Sequence, residues 1–178
     1  MEIILAENHG FCYGVKRAVE MADEAANSEG KSYTLGPIIH NPQVVGRLES
    51  KGVSPIQEVA DIDEGTMIIR SHGVGPAIYA EAEEKGLHIL DATCPHVKKA
   101  QQDAKSVIED GMTLVILGEK NHPEVKSINL WANNKGIIIE DEEPAEKLQI
   151  VEKMGVVVQT TFSQFKFNSI IEILEKKS

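Results

Sequence analysis

Phe11-Cys12-Tyr13-Gly14-Val15-Lys16-Arg17-Ala18 and Thr93-Cys94-Pro95-His96-Val97-Lys98-Lys99-Ala100 share the pattern Cys-x-x-Val-Lys-basic-Ala, and the second copy begins 82 residues after the first. A second element repeats in step. Gly36-Pro37-Ile38-Ile39-His40 has its counterpart in Gly118-Glu119-Lys120-Asn121-His122, so the cysteine-to-histidine spacing is 28 in both copies. A third repeats more loosely, where apolar runs end in Arg70-Ser71-His72-Gly73 and in Gln159-Thr160-Thr161. A repeat that spans several elements reads as two similar structural units. Their boundary falls near Cys94, giving units of residues 1–93 and 94–178, with no Pro/Gly/Ser-rich linker between them.

Around these elements, short β-rich runs alternate with amphipathic helical stretches, the pattern of an α/β fold with mainly parallel sheets flanked by helices. The runs predict strands at Ile3–Ala6, Ser32–Leu35, Thr66–Arg70, His88–Asp91, Thr113–Leu117, Gly136–Ile139 and Gly155–Val158. Val15, Ala18, Val19, Ala22 and Ala25 stand at helical spacing, as do Val97, Ala100, Ala104, Val107 and Ile108. Each of these helices closely follows a cysteine.

Composition narrows the function classes. Eighteen basic residues against 28 acidic ones give a net charge of −10, the wrong sign for a general nucleic-acid or anionic-membrane binder. Any anionic ligand must be held by local donors. No apolar stretch approaches the roughly 20 residues of a membrane span, and no signal-peptide pattern opens the chain, so a cytoplasmic protein without membrane partners is expected. Two cysteines are too few for a disulfide scaffold in a chain of this length.

Ligands of parallel α/β sheets sit beyond the carboxyl ends of the strands, where loops enter helices. The repeated residues occupy those places. Cys12 and Cys94 each precede a helix, whose dipole favours the thiolate that binds metal. A structural zinc site needs four ligands with clustered spacing, which is absent, while iron-sulfur clusters accept widely spaced cysteines but normally use four. His40, His72 and His122 follow strand ends beside Gly or Pro, where loops bind phosphate through imidazole and backbone N–H groups. Three histidines and a carboxylate also leave a catalytic metal open. Glu124, two residues after His122, reads either as a proton donor facing the same ligand or as a solvated helix-start glutamate. His9, His88 and His96 read as ordinary structural or surface residues. The Gly73-Val74-Gly75-Pro76 turn matches neither dinucleotide nor P-loop patterns, so no nucleotide is expected, and Glu140-Asp141-Glu142-Glu143 reads as a solvated turn.

Gly10-Phe11-Cys12-Tyr13-Gly14-Val15, Asp91-Ala92-Thr93-Cys94-Pro95 and His122-Pro123-Glu124-Val125, together with Ile39-His40-Asn41, Ser71-His72-Gly73-Val74 and Gln159-Thr160-Thr161, closely resemble the motifs of the LytB-type 4-hydroxy-3-methylbut-2-enyl diphosphate reductases. The resemblance implies three α/β units around a central cavity, of which this sequence carries the first two and lacks the third. It implies a 4Fe-4S cluster on three cysteines, with Cys12 and Cys94 as two of them and the third in the missing unit. By the same resemblance, His40, His72, His122 and Thr160 are diphosphate and substrate contacts and Glu124 is the proton source. Ferredoxin or flavodoxin would supply electrons for making isopentenyl and dimethylallyl diphosphates in the non-mevalonate pathway. The 178-residue chain alone is then expected to be inactive. The competing expectations are a non-catalytic anion-binding fragment and a mononuclear zinc hydrolase.

Overall fold

A computed structural model describes residues 3–7 and 9–177 of the chain. Four strands, β1 (Ser32–Leu35), β2 (Val53–Ile56), β3 (Thr66–Ile69) and β4 (His88–Asp91), form one parallel sheet in the order β2-β1-β3-β4. A second parallel sheet, β6-β5-β7, uses β5 (Thr113–Leu117), β6 (Ile137–Ile139) and β7 (Met154–Val158). In each sheet the first strand after the cysteine lies at an interior position. That order brings its carboxyl end between two neighbours.

The helices begin where the sequence says they should. Proline opens α2 (Pro42–Ser50), α3 (Pro76–Glu84), α4 (Pro95–Glu109) and α5 (Pro123–Trp131), using a position whose N–H has no helical partner in any case. Cys12 and Cys94 are the N-caps of α1 (Tyr13–Ala26) and α4. In the second unit, α6 (Glu142–Lys147) and α7 (Gln164–Leu174) complete the element order.

Both sheets are covered on both faces, which explains why their strands read as apolar runs rather than as alternation. Met67 and Ile69 of β3 pack with Val59, Ile62 and Ala82, while Ile68 between them packs with Ala18, Ala22 and Leu48 on the opposite face. In β5, Leu114 and Ile116 meet Ala104, Val125 and Ile128, whereas Val115 and Leu117 meet Ala145, Ile170 and Leu174. Successive side chains pointing to opposite faces account for the division.

Two readings of the sequence are corrected. Ile3–Ala6 forms no strand: Ile3, Ile4 and Leu5 are 75%, 83% and 76% exposed, and no described strand pairs with them. Their β propensity is not expressed without a neighbouring edge and a face to cover. Val53–Ile56, missed in the sequence, is the edge strand β2, where Pro55 is tolerated because the outer side needs no ladder partner. Ser32–Leu35, His88–Asp91 and Thr113–Leu117 have the predicted bounds, and the other three differ by one residue at an end, Arg70 and Gly136 falling outside their strands and Met154 opening its own.

The packing gives a direct contrast. Ile116→Ala empties a fully buried site and is expected to lower unfolding free energy by about 2–5 kcal/mol. Ile3→Ala changes an exposed side chain and should stay within about 0.5 kcal/mol. Urea unfolding of the 178-residue chain measures both, and a large loss for Ile3→Ala would restore a packed N-terminal strand.

Candidate functional site

Ser71, just beyond β3 and only 5% exposed, ties three loops together. Its N–H and hydroxyl both donate to the Ile38 carbonyl, at 3.3 and 3.2 Å, and its own carbonyl accepts the Cys94 N–H at 2.9 Å. The first pair fixes the loop that carries His40. The second fixes the start of α4. His72 follows Ser71 directly, so its position is set by the same bonds.

The second unit approaches from the other side. Ser127 on α5 places its hydroxyl 2.9 Å from the His72 carbonyl and 3.0 Å from that of Glu124, and Gln101 on α4 donates to the same hydroxyl at 3.1 Å. Ser127 and Gln101 are both buried. Trp131 adds an N–H bond of 2.9 Å to the Val74 carbonyl. Neither Ser127 nor Gln101 was marked in the sequence, because their counterparts 82 positions earlier are Val45 and Val19 and the repeat gives no signal there.

These bonds bring His40, His72 and His122 together. The ring centroids of His72 and His40 stand 4.6 Å apart, those of His72 and His122 5.4 Å, and one ring nitrogen from each of the three lies within 4.8 Å of the others. Burial pushes the His72 imidazole down to about 4, with the neighbouring His40, His122 and Arg70 charges adding to the effect. His72 is therefore neutral near pH 7, and its buried Nδ1 has no hydrogen-bond partner in the protein. An orphaned polar atom on a ring packed beside two other imidazoles points to a ligand.

His122 helps choose which ligand. As N-cap of α5, its Nδ1 accepts the Glu124 N–H at 3.2 Å. In a neutral ring the proton is then on Nε2, which is a donor and not a free lone pair. The arrangement suits an anion better than a metal ion held by three imidazoles.

Glu124 is 2% exposed, and its carboxylate is fully engaged. Oε1 accepts the Thr160 N–H at 2.6 Å and Oε2 accepts the Thr160 hydroxyl at 2.8 Å. Thr160 itself is exposed, so the pair connects a buried acid to the surface of the cleft. This corrects the solvated-glutamate reading. Residues with the default structural reading behave accordingly: His88 and His96 are exposed, and His9 Nδ1–H donates to the Ala6 carbonyl at 2.8 Å.

The two cysteine-bearing helix starts also meet. Cys12 is exposed and Cys94 half-buried, both free. A Cβ built on Gly14, two residues after Cys12, would stand 2.5 Å from Cys94 Sγ, so only glycine lets the second thiol approach the first turn of α1. Thiols at two adjacent helix starts fit part of a metal-cluster ligand set. Two thiolates do not complete a 4Fe-4S site, and the sequence holds no other cysteine.

The family described as LytB protein matches residues 3–178. The 4-hydroxy-3-methylbut-2-enyl diphosphate reductase of Geobacter metallireducens is 49% identical over 178 residues, covering 99% of this chain and 63% of that relative. The enzyme of the same name from Caldanaerobacter subterraneus is 46% identical, covering 100% of this chain and 64% of its own length. This chain thus spans less than two thirds of these relatives. Among solved structures, the E-1-hydroxy-2-methyl-but-2-enyl-4-diphosphate reductase from Plasmodium falciparum superposes with a TM-score of 0.90 at 31% identity, over 96% of this chain and 55% of that one. A structure described as (E)-4-hydroxy-3-methyl-but-2-enyl diphosphate reductase, the terminal enzyme of the non-mevalonate pathway, gives 0.82 at 44% identity, over 97% and 63%.

Two outcomes follow from the geometry. His72 titrates near its usual 6.5 in the unfolded chain and near 4 in the fold, so between those values the unfolded chain binds more protons. Its contribution to stability is complete above pH 6.5 and lost as pH falls towards 4. Denaturation midpoints at pH 7.5, 5.5 and 4.5 should fall less steeply in His72→Asn than in the wild type, and parallel slopes would show that the ring titrates normally. Separately, Thr160→Val removes one donor from a buried carboxylate and should cost about 1–3 kcal/mol in urea unfolding, with no change showing the bond to be dispensable.

Proposed function

Since the chain belongs to the LytB family, we propose that it supplies the diphosphate cleft, the proton donor and two cluster ligands of a 4-hydroxy-3-methylbut-2-enyl diphosphate reductase. The observation that carries this reading is the convergence of His40, His72 and His122 beside a buried Glu124–Thr160 pair, with Cys94 tied to the same strand end through Ser71. We take residues 1–93 and 94–178 as its two units, supported by every strand of the first sheet preceding Cys94 and every strand of the second following it.

The overall change is reductive dehydroxylation. A C–O bond breaks and a C–H bond forms: of the two protons taken up with two electrons, one goes to the hydroxyl, which departs as water, and the other to carbon. The imidazoles donate N–H groups to the diphosphate and hold it in place, which leaves the hydroxyl end free to reach the cysteine side of the cleft. When Glu124 takes up a proton, the 2.8 Å bond between its Oε2 and Thr160 Oγ1 reverses, so that Glu124 reprotonates the hydroxyl as Thr160 hands its own proton to the departing oxygen. Cys12 and Cys94 would hold a 4Fe-4S cluster together with a third ligand from outside these residues. When bound, the cluster supplies electrons and a Lewis-acidic iron. Ferredoxin or flavodoxin would reduce it, in the cytoplasm; no helix among the described residues is long and apolar enough to cross a membrane.

The zinc-hydrolase alternative needs a free lone pair on His122 that its helix cap already occupies. A non-catalytic anion-binding role shares the cleft but not the thiol pair. Calorimetric titration of inorganic diphosphate into the wild type and His40→Ala/His122→Ala is expected to show at least tenfold weaker binding to the double variant. Equal affinities would remove the histidines from the site. Anaerobic reconstitution of the 178-residue chain should give less than one cluster per chain and no sustained turnover with a chemical electron donor. Iron and sulfide retention that is unchanged by Cys12→Ala/Cys94→Ala would overturn the cluster assignment.

A further inference from the structure

A groove on the seam between the two units lies behind the Gly73–Gly75 turn and encloses a cavity of about 370 Å³. None of the three clustered histidines lines it. Its lining contains Arg70 and Lys126 but no carboxylate, and neither cation forms an ion pair among the described residues. In a chain of net charge −10, two uncompensated cations facing one cavity are unexpected.

The internal repeat supplies a control for Arg70. Its counterpart after β7 is Gln159, and each side chain lies over the glycine that ends the first strand of its own sheet, Gly36 or Gly118. Gln159 is 3% exposed and saturated: its Oε1 accepts the Glu119 N–H at 2.9 Å and its Nε2 donates to Thr161 at 2.8 Å. Closing the turn therefore requires no charge. Arg70 instead carries a guanidinium whose Nε is buried without a hydrogen-bond partner, and burial lowers its pKa. A buried donor left unsatisfied costs free energy unless a ligand completes it.

Besides the cations and the neutral polar Gln57, Asn121 and Ser127, the lining is apolar. Leu35, Val74, Ile78 and Leu130 provide an apolar wall to the same cavity. We propose that this groove is a second binding site, for a small organic phosphate whose dianionic head lies between Arg70 and Lys126 and whose short apolar body packs on that wall. Two positive charges match a phosphate monoester dianion better than a carboxylate, and the cavity has room for both parts. The proposal does not depend on the reductase reading, because it uses none of the residues assigned to that reaction.

Butyl phosphate, inorganic phosphate and butyrate serve as probes on the 178-residue chain, followed by amide NMR shifts at Gly36, Gly73 and Gly75 and by calorimetry. Butyl phosphate is expected to move these amides and to bind more tightly than either simpler anion. Arg70→Gln, which installs the residue used at the equivalent station, should weaken it at least tenfold, as should Lys126→Gln at an exposed position where folding is not at risk. In His40→Ala/His122→Ala the same shifts should persist, so failure of the histidine cleft and failure of the groove are read separately. Unmoved glycine amides at millimolar butyl phosphate, equal affinity for butyrate, or unchanged affinity in both cation variants would overturn the proposal.

Discussion

The arrangement of the site depends on where the backbone groups of Ser71 find their partners. A strand that ends beneath solvent leaves polar groups that need compensation, and here each is matched by a different loop. One carbonyl, that of Ile38, takes both Ser71 donors and thereby brings in the His40 loop. One amide, that of Cys94, takes the Ser71 carbonyl and thereby fixes the start of α4. His40, His72 and the second thiol are thus positioned largely by main-chain bonds, while the His122 side is held through the Ser127 side chain.

The second unit solves the same problem with different chemistry. Thr160 stands two residues beyond β7 as Ser71 stands two residues beyond β3, and it too donates through both N–H and hydroxyl. Its acceptor is the Glu124 carboxylate instead of a main-chain carbonyl. The position equivalent to Glu124 in the first unit is Pro42, which has no acceptor side chain. A structural latch in one copy has become, in the other, a latch with an ionisable acid in it. The carboxylate is retained in a buried place because two charge-assisted hydrogen bonds compensate for its desolvation.

This asymmetry also marks what could be read in the sequence. The 82-residue repeat exposed the two sheets, the two helix-start cysteines and the histidine loops, because each recurs with the same neighbours and spacing. Ser127 and Gln101 carried no such signal, since they lie where the copies differ and act across the seam between units. The strand at Val53–Ile56 was hidden by Pro55, an edge residue that reads as a break. Ile3–Ala6 erred the other way, as an apolar run taken for a strand although pairing depends on a partner that periodicity does not report.

The choice between anion and metal at the histidine cluster turns on protons rather than on distances. Three imidazole nitrogens within 4.8 Å are close enough for either ligand. A metal needs a lone pair from each ring, and the Glu124 N–H claims the Nδ1 lone pair of His122, leaving its Nε2 as a donor. An anion accepts from that donor directly. It also gains from the state of His72, whose neutrality at pH 7 results from burial and from neighbouring positive charge. An incoming diphosphate offsets that neighbouring charge and favours protonation of His72, so binding and proton uptake reinforce each other. A divalent cation would drive His72 the other way and gain nothing from the coupling. Net negative charge on the whole chain is therefore compatible with the proposed anion site, because that site would rely on N–H groups held by the fold.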